Sequence, residues 1–302
     1  MRTNFIYAFV LGLLVLASCS KSETNSPEMG SLSIQLTDAP FPHDMVAEAN
    51  VTIFKIEARY HGDDEDYEGE GEEHSGMDEE NSMEDDSESS FVVLMEEEIT
   101  VNLLDLTNGV TETLVDVDIP AGVYDLFRVY VRDANIVLDD ENNTTYDLKF
   151  PSGESSGVKI FIDPPLVVTG GLSADLLFDF DVCRSFVPRG KMGTANFNGF
   201  NFKPVIKVSN LTTAGTLQGV ISAVGETEIM LLEGAQITVS QEGEVVTTTF
   251  SGENGGYVVM GLDAGFYDLS VELEGYDPQT LEGVVIDTGN YTTVDFELLL
   301  SE

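Results

Sequence analysis

The chain has 302 residues, 42% of them hydrophobic, and sets 55 Asp and Glu against 13 Lys and Arg for a formal net charge of −42. That apolar fraction is enough for real cores, so the chain is not disordered throughout, and the length suggests two domains. So large a negative charge is repelled by phosphates and anionic lipid, which excludes nucleic-acid binding; what remains is attraction of cations or basic partners, or plain solubility in a salty exterior, where charge is screened over about 10 Å.

At the N-terminus, Arg2 precedes an apolar stretch from Phe5 to Leu16, which closes on Leu16-Ala17-Ser18-Cys19. The stretch is too short for a bilayer-spanning helix, which needs about 20 apolar residues. This layout resembles a bacterial lipoprotein signal; the alternative is an ordinary secretory signal with a cysteine at the junction. The resemblance implies removal of residues 1–18 and lipidation of Cys19. Each buried methylene contributes about 0.8 kcal/mol, so the several acyl chains of such lipoproteins anchor stably. The same resemblance implies that Ser20, where Asp would favour retention, disfavours the inner membrane, so the outer one is expected, on its periplasmic or cell-surface face. Residues 19–28 read as a flexible tether. The other cysteine, Cys183, has no partner for a disulfide framework. Within FDFDVCRSF it is expected to be a small core hydrophobe on a strand.

Alternating and β-branched runs dominate the rest, separated by Gly, Asn, Asp and Pro. Strands are predicted at Ser31–Thr37, Ala49–Tyr60, Phe91–Met95, Ile99–Asn102, Gly122–Asp133, Ile136–Leu138, Thr145–Phe150, Val158–Ile162, Ser173–Phe180 and Phe202–Val208, with a short helix near Leu103–Gly109. A second set follows at Thr216–Ser222, Gln236–Gln241, Val245–Phe250, Gly256–Met260, Gly265–Glu272, Leu281–Ile286 and Tyr291–Leu300. The fold class is all-β, two β-sandwich domains, with the boundary at the polar connector Asn210–Gly215. Half of residues 61–90 are Asp or Glu, and this segment cannot bury enough apolar surface to offset ordering entropy. It reads as a disordered insert between two strands of the first domain.

Two family resemblances carry the domain reading. Residues 29–209 resemble an uncharacterised lipoprotein domain, domain of unknown function 4382. The resemblance runs through Gly30-Ser31-Leu32, Leu36-Thr37-Asp38-Ala39-Pro40, Leu103-Leu104-Asp105-Leu106-Thr107-Asn108-Gly109, Ile119-Pro120-Ala121-Gly122-Val123-Tyr124, Asp179-Phe180-Asp181 and Lys203-Pro204-Val205-Ile206. The acidic insert departs from it, and the family implies no activity. Residues 215–302 resemble the carboxypeptidase regulatory-like family, a transthyretin-like sandwich also classed with carbohydrate-binding-like folds. Gly219-Val220-Ile221, Gly234-Ala235-Gln236-Ile237, Asn254-Gly255-Gly256-Tyr257 and Gly265-Phe266-Tyr267 carry this one. It implies an accessory module rather than a catalyst, and puts Tyr257 and Tyr267 at core-facing positions. Ile119–Leu126 and Leu262–Leu269 also echo one another, both reading x-Ala-Gly-x-Tyr-Asp-Leu at their centre.

No residue constellation for catalysis emerges, so the chain is expected not to be an enzyme. Gly153-Glu154-Ser155-Ser156-Gly157 matches a G-x-S-x-G elbow only formally, because that motif needs a strand-to-helix turn and a downstream His, while His43, His61 and His74 all lie upstream. No cofactor motif is present. The metal candidates are Asp64, Asp66 and Glu68, which loosely match the opening of an EF-hand loop but have Ser75 where the closing Glu belongs; they suggest weak Ca²⁺ binding, against diffuse cation binding or a merely solvated loop. Arg184, Arg189, Lys191, Lys203 and Lys207 form a basic stretch with Phe186, Phe197, Phe200 and Phe202. It reads as an edge for an acidic partner, a dock for the acidic insert, or strand stems whose cations face water. The functional expectation is a lipid-anchored envelope binding or scaffold protein, attached to the membrane through its lipid. A glycan or a protein is the expected ligand. The alternative is a carbohydrate-binding component of a surface glycan-capture or adhesion system.

Overall fold

The computed structural model describes residues 28–38, 45–61, 90–150, 155–224 and 229–301. Cys19, the tether up to Pro27 and most of the acidic insert, including Asp64, Asp66 and Glu68, lie outside them.

Twelve strands form the first sandwich: β1 (Met29–Asp38), β2 (Val46–His61), β3 (Ser90–Met95), β4 (Ile99–Asn102), β5 (Glu112–Pro120), β6 (Gly122–Leu138), β7 (Thr145–Leu148), β8 (Val158–Val168), β9 (Ser173–Phe180), β10 (Phe186–Pro188), β11 (Phe200–Phe202) and β12 (Ile206–Asn210). One sheet runs β12-β9-β1-β5, with β1 and β9 parallel; the facing sheet runs β3-β2-β6-β7, with β4 added to β2 and β8 to β6. The alternation in β1 shows why the faces form. Leu32, Ile34 and Leu36 are buried, while Ser31, Ser33 and Gln35 lie between them on the opposite face. The two sheets meet at Phe127 and Phe178, whose rings pack edge to face with centroids 5.9 Å apart. Each such buried apolar side chain contributes about 1.5–3 kcal/mol.

The second sandwich comprises β13 (Gly215–Val224), β14 (Ile229–Leu231), β15 (Gln236–Gln241), β16 (Glu244–Phe250), β17 (Gly256–Leu262), β18 (Gly265–Glu272), β19 (Gln279–Ile286), β20 (Tyr291–Thr293) and β21 (Phe296–Leu298). β13 pairs with β14, β17, β20 and β21, and the facing sheet runs β16-β15-β18-β19. A separate core fills it, from Leu217 and Ile221 on one sheet to Ile237, Val239, Leu269 and Val271 on the other.

The all-β expectation holds, with local departures. Gly122–Leu138 is one strand rather than two, because Asn135 continues the ladder and its side chain accepts a hydrogen bond from Asn50 at 3.1 Å. Pro204 lies in the gap that splits the predicted Phe202–Val208 strand into β11 and β12. The predicted helix shrinks to a 3-10 turn, Leu103–Asp105, capped by Asn102. Tyr291–Leu300 breaks where the Asp295 carboxylate accepts from the Val220 N–H at 2.8 Å. β5, β10 and β14 have no predicted counterpart. The Cys183 expectation is overturned. It sits exposed on a one-turn helix, α1 (Val182–Ser185), because Asp181 caps that turn through the Arg184 N–H and ends the strand. Burial around the sulfur, together with the Asp181 and Asp38 carboxylates, still pushes the thiol up to about 11, which keeps it from being a reactive thiolate.

Candidate functional site

The echo between Ile119–Leu126 and Leu262–Leu269 is structural. Tyr124 and Tyr267 are both buried, and each hydroxyl donates to a backbone carbonyl four residues upstream, Pro120 at 2.8 Å and Asp263 at 2.9 Å. Burial pushes both phenols above their ordinary value. Each tyrosine thereby fixes the corner that opens a central strand, β6 in one sandwich and β18 in the other.

Between the sandwiches lies a cleft of about 260 Å³. The first domain brings to it the end of β1 (Thr37, Asp38), Asp179 on β9, Lys207 and Ser209 on β12, and Asn108 with Gly109. The second brings Thr247, Thr248 and Thr249 on β16, Val258 and Gly261 on β17, Gln241, Asp263 and Tyr267. Asn108 is the hinge pin of this arrangement. Its φ of 57° is the left-handed region, which Asn tolerates better than most residues. The side chain then lies along β17, accepting from the Val258 N–H at 2.6 Å and donating to the Gly256 carbonyl at 3.1 Å. It imitates one residue of a neighbouring strand. Gly109 has to be small because a Cβ there would stand 2.9 Å from a Val258 methyl. On β12, the Ser209 hydroxyl donates to the Gly261 carbonyl at 2.8 Å and the Lys207 ammonium to the Val246 carbonyl at 3.1 Å.

The lining is rich in hydroxyls and carboxylates. Thr37 donates to the Leu106 carbonyl at 2.9 Å, and Asp38 accepts from the Val182 N–H at 3.2 Å. Thr249 is 2% exposed, and its hydroxyl has no hydrogen-bond partner among the described residues. Such a cleft falls just below the usual ligand-pocket range of about 300–1,000 Å³, which suits a small polar molecule. Of the histidines, only His61 is described; it pairs with Asp125 at 3.0 Å on the outer face of the first domain, not in the cleft.

That outer face holds a second polar cluster. Glu57, 5% exposed, accepts from the Tyr130 hydroxyl at 2.5 Å and pairs with Lys55 at 2.6 Å and Arg128 at 3.4 Å. Burial alone would raise its carboxyl, but the Lys55 and Tyr130 hydrogen bonds outweigh that and hold it below the ordinary value. Arg59 grips Asp125 through two bonds of 2.9 and 2.7 Å, and Arg132 pairs with Glu98. Arg128 and Arg132 lie over the rings of Phe91 and Phe54. The cluster is a ladder of internally matched charges across β2 and β6.

The predicted basic stretch divides by face. Phe186, Phe200 and Phe202 join the core or pack on it, with Phe186 and Phe202 centroids 4.8 Å apart, while Arg184, Arg189, Lys191 and Lys203 are exposed. Lys207 alone of the five reaches the cleft. Ser155 and Ser156 form a turn that leads into β8, not a strand-to-helix elbow. The sequence reading missed the cleft residues Asn108, Lys207 and Thr249 as a group. The one local signal was the Asn108-Gly109 pair, a dipeptide suited to positive φ; its partner strand lies about 150 residues away.

Residues 29–204 match the family model described as Domain of unknown function (DUF4382), and residues 216–299 match that of the Carboxypeptidase regulatory-like domain. No curated protein matches the chain. Among solved structures, the minor pilin GBS52 of Streptococcus agalactiae is 10% identical, over 89% of this chain and 96% of that one, at a TM-score of 0.25. The shaft pilin SpaA of Lactobacillus rhamnosus GG is 11% identical, over 90% and 98%, at a TM-score of 0.27. Overlaps this low carry no argument about function. The first family model spans more than half of the residues, and the chain belongs to that family of domains of unknown function, with a carboxypeptidase regulatory-like module behind it.

Proposed function

We propose that this chain is a lipid-anchored, non-catalytic binding or scaffold protein of the bacterial outer membrane. The observation that carries the binding and scaffold reading is the joint. Asn108, Ser209 and Lys207 tie the second sandwich to the first through four hydrogen bonds to backbone atoms of β16 and β17. Side chains used in this way hold the two sandwiches in fixed relation, as a scaffold requires. The anchoring reading rests on Leu16-Ala17-Ser18-Cys19 after its apolar run. Replacing Cys19 by Ala tests it: the wild-type protein sediments with the outer membrane and is released by detergent, and Cys19→Ala appears in the soluble fraction. Membrane association unchanged in Cys19→Ala would sink the anchor.

A second reading, binding of a small sugar, is favoured by the hydroxyl-rich cleft. Aromatic stacking in the second domain does not favour it equally, since Tyr257 and Tyr267 are buried, although Tyr291 is 68% exposed. Affinity electrophoresis in gels containing bacterial or host polysaccharides separates the readings: retardation that is lost in Thr248→Val supports the sugar. Weak Ca²⁺ binding by Asp64, Asp66 and Glu68 belongs to the same proposal. Calorimetric titration with calcium should show heat at millimolar concentration in the wild type and less in a variant with all three changed to Asn.

A further inference from the structure

Several sheet edges among the described residues are blocked. β5 carries Glu112, Asp116 and Asp118 exposed along its length, and β8 carries Pro164 and Pro165, which have no N–H to offer. The free side of β17 is occupied by Asn108, and β12 is seated against β16 and β17. β14 is different. Ile229, Met230 and Leu231 are 70, 42 and 54% exposed, and Val224, which pairs with Ile229, is 59% exposed. Among the described residues β14 pairs with β13 alone. The Leu232 N–H donates to the Ile221 carbonyl at 3.0 Å. By the alternation of an antiparallel ladder, Met230 then faces β13, and the backbone N–H and C=O of Ile229 and Leu231 point away from the sheet.

This apolar edge sits in a field of one sign. From Val208 to Glu302 there are sixteen Asp and Glu and no Lys, Arg or His. Glu233, just after the strand, is exposed.

We propose that β14 is a strand-accepting edge for an extended segment of a partner protein in which apolar residues alternate with Lys or Arg. Backbone hydrogen bonds to Ile229 and Leu231 supply the pairing, the partner's apolar side chains cover the exposed ones, and its cations meet the acidic surface. A second copy of this chain would bring the same uncompensated negative charge to the edge, which selects a basic partner over self-pairing. The proposal does not depend on the lipid anchor, since its assay needs no membrane.

The test uses the full chain in detergent solution and a ten-residue acetylated peptide of alternating Lys and Val, with a Glu-Val peptide as counterpart. Hydrogen exchange read by mass spectrometry should slow at least tenfold at residues 229–231 with the Lys-Val peptide and stay unchanged with the Glu-Val peptide. Leu231→Pro removes an outward N–H that β13 does not use, and it should weaken the Lys-Val peptide at least tenfold. Ile229→Lys puts a like charge on the edge and should weaken it similarly, which covers the case of a misfolded proline variant. Equal binding by the wild type and both variants, equal protection by the Glu-Val peptide, or self-association of the chain with protection at 229–231 would each overturn the proposal.

Discussion

Asn108 joins two demands that usually need two residues. Its backbone takes a left-handed turn, and its side chain completes the edge of a strand in the other domain. Asn108→Gly keeps the turn and deletes the clamp. Each backbone group left without its partner costs about 1–3 kcal/mol where it is buried. The Val258 amide should therefore exchange several-fold faster in Asn108→Gly, while amides deep in either core hold their rates; no change at Val258 would show that the clamp is ornamental. The corner tyrosines make a parallel case. Tyr124→Phe and Tyr267→Phe each remove a buried donor from a backbone carbonyl, and each should cost about 1 kcal/mol, read as a lowered denaturation midpoint. Glu57 adds a pH dependence. Its carboxyl is held below its ordinary value in the folded state, so it contributes stability above the unfolded carboxylate pKa. That contribution fades as pH falls through the lowered folded value. Stability measured from pH 7 to pH 3 should decline less steeply in Glu57→Gln than in the wild type.

At the scale of elements, strands with strong alternation were legible and those shaped by tertiary contacts were not. β1, β15 and β18 follow their period-2 patterns closely. β5 went unseen although Val115, Val117 and Ile119 alternate with Asp116 and Asp118, because an acid-rich run reads as loop until a neighbour such as β1 pairs with it. β14 is three residues long and exposed on both faces, so no burial pattern marks it. Cys183 was misread for a related reason: an apolar context suggests a core strand, and only the Asp181 cap turns the chain into a helical turn. The cleft was the least legible of all. Its contributors come from positions as far apart as Thr37 and Tyr267, and no local spacing encodes such a meeting. The β12–β17 contact also makes a prediction. Gly261 has a φ of 73°, and a Cβ there would stand 2.9 Å from Ser209 and 3.1 Å from Leu177. Gly261→Ala combines a left-handed strain of about 1–2 kcal/mol with overpacking of about 1–3 kcal/mol. It should open the joint, detectable as new protease cleavage near residues 210–214.

Across the whole molecule, charge and attachment belong together. A net charge of −42 opposes both compaction and approach to an anionic surface. The ladder of Lys55, Arg59, Arg128 and Arg132 on the first domain is matched to its own Glu57, Glu98 and Asp125 and so offers little attraction outward. Self-repulsion is screened by salt, so raising NaCl from about 10 mM, where the Debye length is about 30 Å, to about 1 M, where it is about 3 Å, should raise the melting temperature. A fall would mean that the ion-pair ladder outweighs the net repulsion. So acidic a surface has little attraction for an anionic membrane, and the lipid proposed on Cys19 supplies the attachment instead. Mass spectrometry of the N-terminal peptide, from protein isolated from its native cells, tests the proposed anchor. A mature chain that begins at Cys19 and carries diacylglyceryl and acyl groups is the expected result; an N-terminus at another residue, or an unmodified Cys19, would rule the anchor out.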